Sequence, residues 1–309
     1  MSVEVRTCGS EADIATSTQI YNDTWPRDAL TVAETQAFHE RMDESEEWIA
    51  LLDGAPAGSA VAAVGGPVPP ENVFALITVV RDKRRRGVGT ALYRAVSAWA
   101  RERGRETLRT RAREDDPDGF DYALRHGFAE VGRDTDLELH LRGVEPPDVA
   151  PPEGVEIASL AERPEFERQV YDVAVECYPD IPGSEHYVFG APQEWLRHHL
   201  HGPSQRQDAN FVALAANEVV GYAKLSLTAA RPASAFHGMT AVRRAWRGRG
   251  VAGALKRAQI RWALANGLER LETSNELRNE PMRRVNLALG YMPAPGTITL
   301  EGPLARLRD

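Results

Sequence analysis

The stretch VVRDKRRRGVGTALYRAVSAW, residues 79–99, decides the fold because the chain uses it twice. The second copy, VRRAWRGRGVAGALKRAQIRW, runs over residues 242–262. Displacing the first copy by 163 positions sets Arg84 on Arg247, and no gap is needed from residue 79 to residue 128. Gly87 then meets Gly250, Leu92 meets Leu255, Trp99 meets Trp262, Gly104 meets Gly267 and Gly127 meets Gly290. Solenoid repeats are roughly 20–50 residues long, so this period marks a duplicated domain.

Each copy reads as a strand, a tight basic turn and a long helix. The apolar run 73–80 leads into R-x-x-G-x-G (Arg84, Gly87, Gly89), and its counterpart reads R-x-x-G-x-A (Arg247, Gly250, Ala252). Ala91, Leu92, Ala95, Val96 and Trp99 follow at helical spacing. Glycine lets the backbone turn sharply and come close to a ligand. The first N–H groups of a helix lack intrahelical acceptors and, with the helix dipole, make a site for phosphate oxygens. Flanking arginines add charge and bidentate donors. The pattern fits a pyrophosphate. The bland alternative is a solvated basic turn before an ordinary amphipathic helix, and the matched second copy weighs against it. Neither copy has the Lys-Ser/Thr pair of a P-loop, and neither helix opens with G-x-G-x-x-G.

With RRRGVG and RGRGVA after strands that contain Val79 and Val242, and with the late Gly127-Phe128 and Gly290-Tyr291, the chain resembles the GNAT superfamily of acyl-CoA-dependent N-acyltransferases. The resemblance covers nearly the whole chain as two tandem copies, an arrangement similar to that of mycothiol synthase. It implies an α/β class with mixed sheets: two GNAT folds, each a mostly antiparallel sheet with a splayed central parallel pair, flanked by helices. It also implies acetyl-CoA as the cofactor. The pyrophosphate is expected on Val79, Arg84, Arg85, Arg86, Gly87, Val88, Gly89 and Thr90, and on Val242, Arg247, Gly248, Arg249, Gly250, Val251, Ala252 and Gly253.

At 309 residues two domains are expected, here 1–146 and 147–309. The proline-rich GVEPPDVAPPEG, residues 143–154, is the linker. A net charge of −8 argues against a nucleic-acid surface, so the Arg84-Arg85-Arg86 run is a local feature. Cys8 and Cys177, one per half, suggest reduced thiols and a cytoplasmic protein. No apolar leader or long apolar run points to secretion or a membrane. Val3-Glu-Val5 and Val155-Glu-Ile157 open the halves as strands, and the alternating stretches 137–141 and 297–300 are expected to close them. Between these lie helical patterning over 11–42, broken at Trp25-Pro26, and hairpins near 48–64 and 211–227.

The chemistry is expected in the C-terminal half, because the two halves differ at aligned positions. On the strand before the turn, His237 and Thr240 stand where the first half has Phe74 and Ile77. The resemblance implies an Asn eleven residues before the late Gly that contacts the pantetheine arm. Asn279 fills that place in the second half and Asp116 in the first. Thr273 and Asn275 accompany it. An intact turn leaves the first half able to bind acyl-CoA. The family's tyrosine four residues before the Gly is absent, those positions being Ala123 and Asn286, so a water or no dedicated acid is left for the departing thiolate. The implied mechanism is direct attack by an amine on the acetyl thioester, with His237 as the base and Glu185, His186 and Glu272 as lesser candidates. A strand N–H near Val242 is to meet the oxyanion. Tyr178, Tyr187 and Trp195 are candidate contacts for a small-molecule amine, and Tyr21 and Trp25 form a possible wall; all five read equally as packing. A catalytically silent acyl-CoA-binding module is the alternative.

Overall fold

In the computed structural model, which describes residues 2–65, 68–182 and 187–306, the predicted hairpins form for a local reason. Asp53 and Gly54 both take positive φ, 51° and 84°, and so do Ala216 and Asn217 at 48° and 68°. Two consecutive residues of this kind match the right-handed twist of the strands they join. The helices also begin on local signals. Thr31 and Glu34 make a reciprocal capping box, and Ser10 caps the helix before it.

The chain divides into two compact units, Met1–Arg133 with Thr297–Asp309, and Asp134–Gly296. Unit 1 contains β1 (Val3–Thr7), α1 (Glu11–Thr24), α2 (Val32–Glu40), β2 (Glu44–Leu52), β3 (Ala55–Val64), β4 (Asn72–Val79), α3 (Val88–Glu102), β5 (Thr107–Arg113) and α4 (Pro117–Arg125). A strand β6 (Ala129–His140) follows and reaches unit 2 at Asp134. Unit 2 continues with β7 (Val155–Ser159), α5 (Glu167–Cys177), α6 (Pro192–Leu200), β8 (Phe211–Ala215), β9 (Glu218–Leu227), β10 (Ser234–Val242), α7 (Val251–Ala265), β11 (Arg270–Glu276) and α8 (Glu280–Ala288). The last strand, β12 (Met292–Pro303), supplies unit 1 from Thr297 onward.

Unit 1 orders its strands β1-β2-β3-β4-β5, then residues 297–303 of β12. All pairs are antiparallel except β4–β5, whose parallel ladder covers only 72–74 against 107–109. Unit 2 repeats this as β7-β8-β9-β10-β11, then residues 134–140 of β6, and its parallel ladder covers 234–236 against 270–272. Beyond those three-residue ladders the parallel strands part, as the family resemblance implies. Neither half closes with its own last strand, so each unit draws on both sides of residue 146. Period-two alternation fixes which face of a strand is buried, but it does not choose between two equivalent sheet edges.

In unit 1, Trp48 meets Trp99 of α3 edge-on at 6.4 Å, while the neighbouring Glu47 turns to the other face and accepts from Ser17 of α1. Helices α1 and α3 therefore cover opposite faces. Leu92, Val96 and Trp99 form the buried stripe of α3 together with Leu300 and Ile298 of β12. Cys8 and Cys177 are free thiols. Among the described residues no helix is long and apolar enough to cross a membrane, and no His, Cys, Asp or Glu cluster suits a metal.

Candidate functional site

The turn in unit 1 is built around Gly87, which caps α3 at φ +87° with nothing within 4 Å of the Cβ it lacks. That left-handed conformation favours glycine, and it turns the chain so that the first N–H groups of α3 face outward. Arg84 braces the turn. Its Nε donates to the Val79 carbonyl at 3.3 Å, and its two Nη atoms donate to both oxygens of Asp116 at 2.8 Å. The Arg84 guanidinium holds the Asp116 carboxyl below its ordinary range. Arg85, at φ 64°, and Arg86 have no ion-pair partner among the described residues and leave their charge at the turn.

A cleft of about 430 Å³ begins at this turn and enters the gap between β4 and β5. Val79, Arg84, Arg85, Gly87, Gly89 and Thr90 line it, as do Ile77, Thr110 and Tyr122. On the α1 side it reaches Thr24, Trp25, Arg111 and Arg113. The Tyr122 hydroxyl is buried without a hydrogen-bond partner, and burial raises its pKa. A buried donor left open on a cleft wall is costly unless a ligand meets it. Val88 is 1 % exposed and belongs to the core, so only its backbone N–H is available to a ligand.

Unit 2 repeats the turn but not the cleft lining. Gly250 caps α7 at φ +90°, Gly248 is at +73°, and the Arg247 Nε donates to the Val242 carbonyl at 3.0 Å. Arg247 and Arg244 share Asp180, each at 2.7 Å, and Arg249 lies over the Trp246 ring at 4.8 Å. Val251 is core; Ala252 and Gly253 continue the first turn of α7.

His237, expected as the base, stands in a closed environment. His237 is 2 % exposed, its Nδ1 is 2.9 Å from Gln259 Oε1, and its Nε2 bonds the Tyr291 hydroxyl. Burial, then the nearby Lys256, holds the imidazole pKa well below the usual range. The cause is a bulge in β10 between His237 and Thr240. A one-residue slip moves a side chain to the other face of a sheet. His237 thus turns toward α7, and the parallel ladders match it to Ala75, which lines the cleft of unit 1, and not to Phe74, which turns toward Phe38 of α2. The imidazole packs against Lys256 and Tyr291, the repeat counterparts of Tyr93 and Phe128, which line the cleft in unit 1.

Thr240 and Asn279 are both half-buried, Asn279 at the N-cap of α8. Thr273 reaches the His237 carbonyl at 3.5 Å, and Asn275 accepts from Asn286 at 2.6 Å. Glu272 is not a free base, since it is buried and ion-paired with Arg231. Glu185 and His186 lie outside the described residues. Tyr178 and Tyr187 do come together, ring centres 4.7 Å apart, and Tyr187 bonds His199 at 2.9 Å. Trp195, 4 % exposed and stacked on His199, is a core residue. The sequence reading missed Tyr122 as a cleft-lining hydroxyl and missed Arg111. Their signals were a tyrosine one position off the family register and the alternating run Arg109, Arg111, Arg113.

Comparison with known proteins fits this architecture. A crystallised GCN5-related N-acetyltransferase from Sphaerobacter thermophilus matches with a TM-score of 0.76 at 19% identity, over 98% of this chain and 96% of that one. A tandem GNAT protein from the clavulanic acid biosynthesis pathway matches with a TM-score of 0.76 at 20% identity, over 99% of both chains. A GCN5-related glucosamine N-acetyltransferase region of a fungal multi-domain β-N-acetylglucosaminidase matches at 0.70 and 16% identity, over 97% of this chain and 38% of that one. At these identities the likeness concerns the fold alone. No match is found among curated protein sequences. The family model for acetyltransferases of the GNAT family matches residues 14–128 and 149–291, and with both copies of the motif accounted for, the chain belongs to that family.

Proposed function

We propose that this protein is an N-acetyltransferase that moves an acetyl group from acetyl-CoA to the amine of a small molecule, and that the carrier occupies the cleft of unit 1. The observation that carries this reading is the continuity of that cleft, from the Gly87 helix start into the parted strands β4 and β5. In this reading the N–H groups at the start of α3 and the charges of Arg85 and Arg86 take the pyrophosphate. The backbone of β4 beyond its short ladder takes the pantetheine amides. Tyr122 donates its open hydroxyl to the carrier. Acetyl-CoA brings an activated thioester carbonyl; amine nitrogen attacks it, the C–S bond breaks, and CoA leaves as a thiolate that takes up a proton.

The acceptor enters from the α1 side. Thr24, Trp25, Arg111 and Arg113 line that end, while the carboxylates and the imidazole of the cleft, Asp116, Asp118 and His126, belong to α4 and its caps, Asp116 being held by Arg84. The amine therefore gives its proton to water. This lack of a base also favours a second reading, in which the cleft holds acyl-CoA without turning it over. CoA release from acetyl-CoA across a broad amine panel separates the two. Sustained release with any amine supports transfer, and tight acetyl-CoA binding with no release across the panel supports the silent module.

A further inference from the structure

Strand β5 carries an arginine at every second position: Arg109, Arg111 and Arg113. Alternate residues of a strand share a face, here the α1 face, where Trp25 lies within 6 Å of the guanidinium carbons of both Arg111 and Arg113. The two outer arginines are neutralised. Arg109 reaches Glu301 at 2.9 Å across the ladder, and Arg113 is held by Asp115 at 2.7 Å with Asp28 3.8 Å away. The middle one stands opposite Thr299 and has no carboxylate partner among the described residues. Arg111 is exposed, lines the cleft, and places its guanidinium carbon 5.5 Å from the Trp25 ring centre and 5.7 Å from that of Phe74.

We propose that the acceptor amine also bears a carboxylate, and that Arg111 binds it while presenting the amine to the thioester. This rests on the cleft of unit 1 being the transfer site. The charge balance decides the class. A simple cationic amine or polyamine approaching this end meets an uncompensated guanidinium beside Arg113, and like charges at short range in a partly buried cleft repel. A carboxylated amine replaces that repulsion with a planar, two-bond match to the fork. The flanking rings of Trp25 and Phe74 restrict the side chain, so less freedom is lost on binding.

The test is calorimetric titration of the full-length chain, saturated with CoA, with matched pairs: each amino acid against its decarboxylated amine, and aminoethyl phosphate against ethanolamine. The expected result is that at least one amino acid binds about tenfold or more tightly than its decarboxylated partner. Arg111→Ala is expected to erase that gap, and Arg111→Lys to retain part of it. The proposal is overturned if no amino acid binds, if matched pairs bind equally, if the gap survives Arg111→Ala, or if only aminoethyl phosphate shows it. CoA release measured on the same pairs judges the transferase reading separately. An amino acid that binds through Arg111 and is never acetylated leaves Arg111 as the carboxylate-binding residue of the cleft and overturns both its part in presenting an acceptor and the transferase reading.

Discussion

Lys256 sits on α7 at the repeat position of Tyr93, 1 % exposed, with its ammonium 5.6 Å from the Tyr291 ring centre and no carboxylate partner among the described residues. Burial lowers its pKa from 10.5 to about 7. Between those values the unfolded chain holds a proton at this site that the folded chain does not, so stability rises with pH across that window and is flat below it. His237 adds to the acid side: its folded pKa is depressed, so stability falls as pH drops through the ordinary histidine range. Lys256→Met, which keeps the volume, is expected to raise the stability of the chain at pH 7 by roughly 2–4 kcal/mol. It is also expected to flatten the rise between pH 7 and 10, as checked by denaturant melts at several pH values. A profile as steep as that of the wild type would show that Lys256 keeps its proton in the folded chain. At this scale the sequence disclosed residues whose backbone demands them. Gly87 and Gly250 stand out because the turn needs positive φ. It did not disclose which arginine lacks a partner, because Arg109, Arg111 and Arg113 look alike until cross-strand register sets Glu301 opposite only the first.

Among the elements, β10 is one residue longer than β4, and the two short parallel ladders, 72–74 against 107–109 and 234–236 against 270–272, make His237 the structural counterpart of Ala75 and not of Phe74. The bulge in β10 absorbs that extra residue, which a single shift of 163 carried back through the strand does not reveal. His237→Phe would leave Gln259 and the Tyr291 hydroxyl buried without their partner. It is expected to lower stability by about 1–3 kcal/mol and to leave acetyl-CoA affinity unchanged. Thermal melts and binding isotherms on the same variant check both parts; a loss of turnover at full stability would return His237 to the chemistry. Strand β12 matters in the same way for unit 1. It gives seven paired residues to β5, buries Ile298 and Leu300, and accepts the Tyr93 hydroxyl at the Pro303 carbonyl at 2.6 Å.

For the molecule as a whole, the duplicated fold was legible because a 50-residue gap-free repeat carries the strand, turn, helix and late Gly together. The composition of the units was not, because both closing strands alternate alike: Leu137 and Leu139 in one, Ile298 and Leu300 in the other. A fragment of residues 1–146 is therefore expected to lack the strand that completes its sheet and to unfold without a cooperative transition. Replacing its residues 134–146 with residues 297–306 is expected to restore one. Cooperative melting of the unmodified fragment would contradict the assignment of β12 to unit 1. The central claim is that the carrier binds at the Gly87 turn of unit 1, where the cleft is open, and not at its counterpart, where His237 fills the corresponding space. Titration of acetyl-CoA into the full chain and into Gly87→Glu and Gly250→Glu variants tests it most directly, since a carboxylate at either turn meets the pyrophosphate with like charge. One equivalent bound to the wild type, lost in Gly87→Glu and kept in Gly250→Glu, is the predicted result; binding that survives Gly87→Glu would contradict the account.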